Sequence, residues 1–332
     1  MSHGIHVPVL LDEAVVALAI KPAGVYVDAT FGRGGHARAI LARLAPSGRL
    51  VGIDRDPAAE AAATALANAD VRFAFRRAWF SELPDVLAGL ALARVDGVLL
   101  DLGISSPQID DATRGFSFRH DGPLDMRMDP SRGESAAEFL ARASLRELTE
   151  VLRDYGEERS APSIARAVAA ARAHEPIHGT RQLAALVAQA IGARTRGDWR
   201  QDPATRTFQA LRIFVNRELS EIAQALPVIV SALAEGATMA VISFHSLEDR
   251  IVKRFLARAS QPYAGDPVLA RLAIRTDALP GAPLALVGRA VKPSAAEIAR
   301  NPRSRSAVLR VATRTSHALP AGWPHGYAEE AA

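Results

Sequence analysis

Three acids and one glycine turn are the residues of this sequence best placed to do chemistry. Asp28 follows Val25-Tyr26-Val27, Asp54 follows Val51-Gly52-Ile53, and Asp101 follows Val98-Leu99-Leu100. Each acid therefore ends a short apolar run of the kind that forms a buried parallel strand. After Asp28 comes Gly32-Arg33-Gly34-Gly35-His36, and from Ala37 the apolar spacing turns helical. A strand, a glycine turn and a helix in that order present backbone N–H groups to a nucleotide-type cofactor. Asp54 lies 20 residues beyond Gly34, where an acid accepts hydrogen bonds from ribose hydroxyls. The third glycine of a dinucleotide fingerprint would fall on position 37, which is alanine. An acid after strands one, two and four, with only Gly-x-Gly between the first two, fits S-adenosylmethionine better than a nicotinamide dinucleotide. A tight turn with no ligand is the plainer alternative for the glycines alone.

The elements that must position these residues follow in chain order. Residues 8–18 read as a short helix, 25–28 as a strand, 37–44 as a helix, and 49–54 as a second strand. Residues 57–69 read as an alanine-rich helix, 71–75 as a third strand, 81–92 as a helix, and 95–101 as a fourth strand. Four β/α repeats predict a doubly wound α/β sheet with helices on both faces. A crossover needs roughly 25–35 residues, yet the next comparable strand is Thr238–Phe244, so roughly 100 residues are inserted. Helical patterns at 135–143, 144–155, 161–173 and 180–191 make the insert all-helical, and 205–226 and 228–235 lead back to the sheet. The expected division is 1–109 with 208–316 as the sheet domain, 110–207 as the insert, and 317–332 as a flexible tail. Ser246 is expected to cap a helix over 246–259, residues 261–283 to form an irregular loop, and 284–291 with 307–313 the last hairpin.

Composition narrows the classes. With 49% apolar and 23% charged residues the chain is an ordinary globular one, and it contains no cysteine. Disulfides, thiolate metal sites and a cysteine nucleophile are thereby excluded. No run of about 18 apolar residues predicts a membrane span, and no basic-then-apolar leader is present, so a cytoplasmic protein is expected. Residues 153–217 hold 11 Arg against 6 acids, and residues 289–314 hold 7 basic residues against Glu297 alone. With a net charge of +4 overall, the remainder is acidic. Two basic regions on an acidic body favour a polyanionic partner, although solvated basic faces account for the same count. The nine His show no metal-ligand spacing, and no metal is expected.

Longer motifs then accumulate along the chain. They are His6-x-Pro8-Val-Leu-Leu-Asp-Glu13, Asp28-x-Thr-Phe-Gly-Arg-Gly-Gly-His36, Gly52-Ile-Asp-Arg-Asp-Pro57 and Asp101-Leu-Gly-x-Ser-Ser-Pro-Gln108. Arg114-Gly-Phe-Ser-Phe118, Asp121-Gly-Pro-Leu-Asp-Met-Arg-Met128, Tyr155-Gly-Glu-Glu158 and Pro203-Ala-Thr-Arg-Thr-Phe-Gln209 follow. Ser243-Phe-His-Ser-Leu-Glu-Asp-Arg250 and Asn301-Pro-Arg-x-Arg-Ser306 complete the set. From about residue 6 to 314 the sequence resembles the bacterial 16S rRNA (cytosine-N(4)) methyltransferases. That resemblance implies a class I, Rossmann-like methyltransferase sheet with S-adenosylmethionine as cofactor. It implies transfer of a methyl group to the exocyclic amine of a decoding-centre cytosine in 16S rRNA of the 30S subunit. By the same resemblance Gly34, Gly35 and His36 meet the methionine end, Asp54 the ribose and Phe80 the adenine region. Asp101 and Gln108 complete the pocket, while Ser105, Ser106 and His245 lie on the substrate side. Arg303 and Arg305 would hold phosphates if the last hairpin closes the sheet edge.

The chemistry makes its own demand. The lone pair of a cytosine amine is delocalised into the ring, so an acceptor must engage an N–H before the nitrogen can attack a sulfonium methyl. Asp101, just after strand four, is the candidate acceptor as well as a cofactor contact. No aromatic follows it directly, so base stacking is expected from Phe116 or Phe118. Two other readings compete: a DNA amino-methyltransferase, and a non-catalytic ribosome assembly factor on a vestigial cofactor fold. The expected partner is ribosomal RNA, with no DNA and no membrane, and with the chain a monomer or homodimer.

Overall fold

The computed structural model describes residues 8–192, 202–261 and 281–328. Four helices interleave with the first four strands: α1 (Leu11–Ala17), β1 (Val25–Asp28), α2 (Gly35–Leu41), β2 (Arg49–Asp54), α3 (Glu60–Ala69), β3 (Phe73–Arg77), α4 (Leu83–Ala88) and β4 (Val95–Asp101). Helices α5 (Ser106–Asp110), α6 (Ala136–Arg142), α7 (Leu145–Gly156), α8 (Ala161–Arg172), α9 (Thr180–Gly192) and α10 (Thr205–Val215) come next. Helix α11 (Glu218–Ala232), β5 (Leu233–Ser243), α12 (Ser246–Ser260), β6 (Leu284–Leu286), α13 (Ala295–Arg300) and β7 (Val308–Arg314) complete the body. The chain divides into two units, residues 104–218 and the remainder.

In the first unit seven strands form one sheet in the order β3-β2-β1-β4-β5-β7-β6. The first five are parallel, and β7 runs antiparallel between β5 and β6. Alternation along the strands explains why both faces are covered. Tyr26, Leu50, Leu99 and Ile242 are buried with α1, α2 and α3 on one face. Their neighbours Val27, Val51, Val98, Leu100 and Val241 are buried with α4, α11 and α12 on the other. Each such side chain contributes about 1.5–3 kcal/mol by leaving water, which fixes the register of every strand.

Several boundaries differ from the sequence reading, each for a physical reason. Strand β3 sits two residues later than expected, because Phe73 is buried while Val71 is 98% exposed. The slip of two preserves which side chains face inward. The helix expected over 205–226 breaks at Asn216-Arg217, where Arg217 takes a φ of 50°. Pro227, expected as a break, lies inside α11. Burial of Ile222, Leu226, Ile229 and Val230 around it outweighs the ~3 kcal/mol that a helical proline costs. A helix, α13, stands between the strands of the last hairpin. Most of the loop expected at 261–283 lies outside the described residues. The segment expected to be a flexible tail is docked as far as it is described: Trp323 Nε1 donates to Pro227 O and Ser231 Oγ, both at 2.9 Å, and Tyr327 is buried. Among the described residues no helix is long and apolar enough to cross a membrane.

The second unit, residues 104–218, has its own core, with Phe139, Leu148, Leu152, Ile164, Val168, Leu183, Phe208 and Leu211 at its centre. It begins and ends outside the limits 110 and 207 expected from sequence, because Phe208 and Leu211 of α10 pack into this core. Ser135 with Glu138 and Ser144 with Glu147 form capping boxes that start α6 and α7. Buried Asn216 clamps the loop before α6: its Oδ1 accepts from Met128 N and its Nδ2 donates to Met126 O, both at 2.7 Å.

Candidate active site

The parallel strands end on one edge of the sheet, and there the acids gather. The register sets Asp28 of β1 beside Gly52 of β2 and Leu99 of β4, and Asp101 of β4 beside Ile242 of β5. Asp101 N donates to Thr30 Oγ1 at 2.6 Å, tying the end of β4 to the turn that leaves β1.

The turn itself is built for a close approach. Gly34 is the left-handed cap of α2 with a φ of 73°, and a Cβ there would lie 2.7 Å from the Phe31 ring. A Cβ on Gly35 would come 2.2 Å from Pro8 Cγ, so only glycine fits. His36 follows in the first turn of α2, buried, with Nδ1 3.7 Å from Asp101 Oδ2.

Each acid is held differently. Asp54 Oδ2 accepts from Gly32 N at 2.7 Å and its Oδ1 accepts from Asp56 N at 2.8 Å. It thus ties β2 to the glycine turn, a role the sequence reading did not include; burial raises its pKa and these two amides partly offset the rise. Asp28 is 1% exposed, with Oδ1 accepting from Thr30 N at 3.3 Å and Oδ2 lacking a hydrogen-bond partner. Burial, reinforced by the charge of Asp54, pushes it up to about 7. Asp101 Oδ1 is also buried without a partner. Burial first, then the charges of Asp28 and Glu248, raise its carboxyl well above the ordinary range.

At the end of β5, His245 rather than Ser246 caps α12. Its backbone is extended, its Nδ1 accepts from Glu248 N at 3.4 Å, and its Nε2 lies 3.2 Å from Glu248 Oε1. Glu248 is fully buried, and its Oε2 accepts from Phe244 N at 2.7 Å. Glu248 is given no role of its own by the sequence; its place within Ser243-Phe-His-Ser-Leu-Glu was the available signal.

The other expected residues divide into two groups. Phe80 begins a short turn after β3 and packs, partly buried, against the core beneath α4 and α11. The preceding Trp79 carries the Arg55 guanidinium 4.8 Å from its ring centre. Arg303 and Arg305 are exposed on the 302–306 turn that leads into β7, and pairing of Ser243 with Val308 sets that turn at the same edge as His245. Gln108, Ser105 and Ser106 belong to the second unit. There Ser105 and Gln108 cap α5 reciprocally, Gln108 Oε1 accepting from Ser105 N at 2.8 Å, and Ser106 is the first helical residue. Of Phe116 and Phe118, expected to stack on a base, Phe116 is buried in that unit's core, while Phe118 is partly buried against it and meets Phe208 edge-on at 4.8 Å.

A sheet in this order, with an antiparallel seventh strand, acids ending β1, β2 and β4, and a glycine turn after β1, has the class I, Rossmann-like methyltransferase fold. Residues 3–315 match the model of the MraW methylase family, and the chain belongs to that family. It is 56% identical over 315 residues to "Ribosomal RNA small subunit methyltransferase H" of Neisseria gonorrhoeae (strain ATCC 700825 / FA 1090), covering 95% of this chain and 97% of that protein. It is 60% identical over 310 residues to the protein of the same name from Azoarcus sp. (strain BH72), covering 93% and 96% of the two chains. With the Thiobacillus denitrificans (strain ATCC 25259 / T1) protein of that name identity is 60% over 313 residues, covering 94% and 98%.

Proposed function

We propose that this protein moves the methyl group of S-adenosylmethionine to the exocyclic N(4) amine of a decoding-centre cytosine in 16S rRNA of the small ribosomal subunit. The observation that carries the reading is Asp101: a carboxyl at the end of β4 whose Oδ1 is buried and has no partner on the protein. Family membership and the printed names of the relatives support ribosomal RNA as substrate.

The residues fit the cofactor. The glycine turn admits no Cβ at Gly34 or Gly35, and in this reading it holds the methionine end with His36. Asp54 keeps lone pairs for ribose hydroxyls beyond the two amides it already serves, and Phe80 flanks the adenine. When bound, the cofactor supplies an electrophilic methyl on a sulfonium sulfur. Asp101 accepts an N–H of the cytosine amine, which frees the nitrogen lone pair from the ring and orients it. The Thr30 hydroxyl fixes the backbone of Asp101 while it does so.

RNA docking falls in this reading to arginines that no carboxylate neutralises. Arg153 and Arg212 of the basic stretch are paired with Asp154 and Glu218. Arg159, Arg166, Arg181 and Arg206 are exposed without an acidic partner among the described residues, as is Arg305. Such side chains contact phosphates and confer salt-dependent binding.

The test offers S-adenosylmethionine with a labelled methyl together with 30S subunits, naked 16S rRNA, or duplex DNA. Label is expected on the ribosomal substrates. Label on DNA alone would favour a DNA amino-methyltransferase, and label nowhere would favour a non-catalytic assembly factor.

A further inference from the structure

The edge that holds Asp28 and Asp101 brings several carboxyls close together. Among the described residues no lysine or arginine lies within ion-pair distance of either acid. The groups that face them are mostly acids. Asp28 meets Asp54 of β2, Asp101 of β4 and the amide of Ala37 at the start of α2. Asp101 meets Asp28, Glu248 of α12, and His36 of α2 at 3.7 Å. Arg55 acts on their neighbour Asp54, whose carboxyl it draws down. Each of the two acids also has one buried oxygen with no donor, Asp28 Oδ2 and Asp101 Oδ1. A buried carboxyl without a counter-ion holds its proton more tightly than one in water, and an incoming cation favours its release.

Resting on the cofactor reading above, we infer that Asp28 and Asp101 form a proton-exchanging counter-charge for the sulfonium, which lets this site tell the charged methyl donor from its neutral thioether product. The row takes in the cation by releasing a proton to solvent. Methylation of an amine then leaves one proton to place, since N–H is exchanged for N–CH3 as the sulfur loses its charge. The carboxylate that faced the sulfonium takes that proton, by way of Asp101 at the amine, and the row returns to its neutral form. The sum over one turnover is one proton released, at uptake of the donor, as the overall reaction requires. With the proton back on the acids, nothing at this edge holds the neutral product by charge. The environment supports this cycle: burial and the neighbouring acid push Asp28 up to about 7, so it is divided between both forms near neutrality.

The experiment is titration calorimetry of the full-length protein with S-adenosylmethionine and, separately, S-adenosylhomocysteine, each in two buffers of different ionisation enthalpy. At pH 7 the sulfonium compound should release roughly half a proton to one proton, and the thioether less than half as many. The affinity ratio between the two should rise roughly tenfold from pH 5.5 to 7.5. The isosteric Asp28→Asn, which keeps an oxygen for Thr30 N, should bind both compounds and release at most half the wild-type number of protons with the sulfonium compound. Equal proton counts for the two compounds in the wild type overturn the inference without needing any variant. An unchanged count in Asp28→Asn does the same. Binding of the sulfonium compound without proton release leaves the cofactor reading standing and removes this inference alone, whereas no binding at any pH removes both.

Discussion

The acids at the carboxyl edge of the sheet and the acids of the helical unit are the same residue types in opposite circumstances. In the helical unit burial alone would raise Asp125, but it accepts from Arg127 Nε at 2.8 Å, Arg127 Nη2 at 2.7 Å and Arg127 N at 3.0 Å, which hold it below the usual carboxylate range. Glu138 and Glu147 are likewise held down, each by the backbone amide of the serine it caps. At the sheet edge Asp28 and Asp101 have neither arginine nor cap, and both are raised. Paired acids build a fold. Unpaired buried acids cost stability, and a chain keeps such a cost where a ligand or a reaction offsets it.

Three substitutions break or sharpen this contrast, in falling order of effect. Asp101→Ala should lower the rate of methyl transfer to ribosomal substrate by a factor on the order of 10²–10⁴, measured in single turnover; near-normal turnover would remove Asp101 from the reaction. Asp28→Asn should stabilise the fold at pH 8 by roughly 2–4 kcal/mol in denaturant unfolding. The sign follows from the raised carboxyl: above about pH 4 the unfolded chain ionises Asp28 while the folded one still protonates it, so wild-type stability falls as pH climbs to about 7. The gain from Asn should therefore vanish near pH 4. Asp125→Asn should behave in the opposite sense. Its lowered carboxyl contributes stability above the unfolded value of about 4, so the variant should lose about 1 kcal/mol at pH 7 and nothing in strong acid.

Much of this was legible in the sequence because it depends on local pattern. A strand that ends in an acid before a glycine turn reads the same way in the chain as in the fold, so the places of Asp28, Gly34, Asp54 and Asp101 at strand ends and turn are visible in the residue string. Features decided by distant packing were not legible. Nothing near Trp323 says that its indole N–H reaches Pro227 O and thereby docks a segment that reads as loose tail. Pro227 signals a break only until the buried side chains around it are known. His245 was singled out by its motif, but its capping bond to Glu248 N follows from backbone geometry that a residue string does not carry. The same holds for Asp54, whose loop bonds stand beside any contact to a ribose.

The central claim is that this edge of acids serves methylation of a cytosine amine in small-subunit rRNA. The most direct measurement treats 30S subunits with the protein and methyl-labelled S-adenosylmethionine, then digests the RNA to nucleosides and identifies the labelled one by mass and chromatography. The account predicts label on N(4)-methylcytidine from a single decoding-centre position, and none when Asp101→Ala replaces the wild type. Label on another base, at the ring carbon of cytosine, or on the ribose would contradict it.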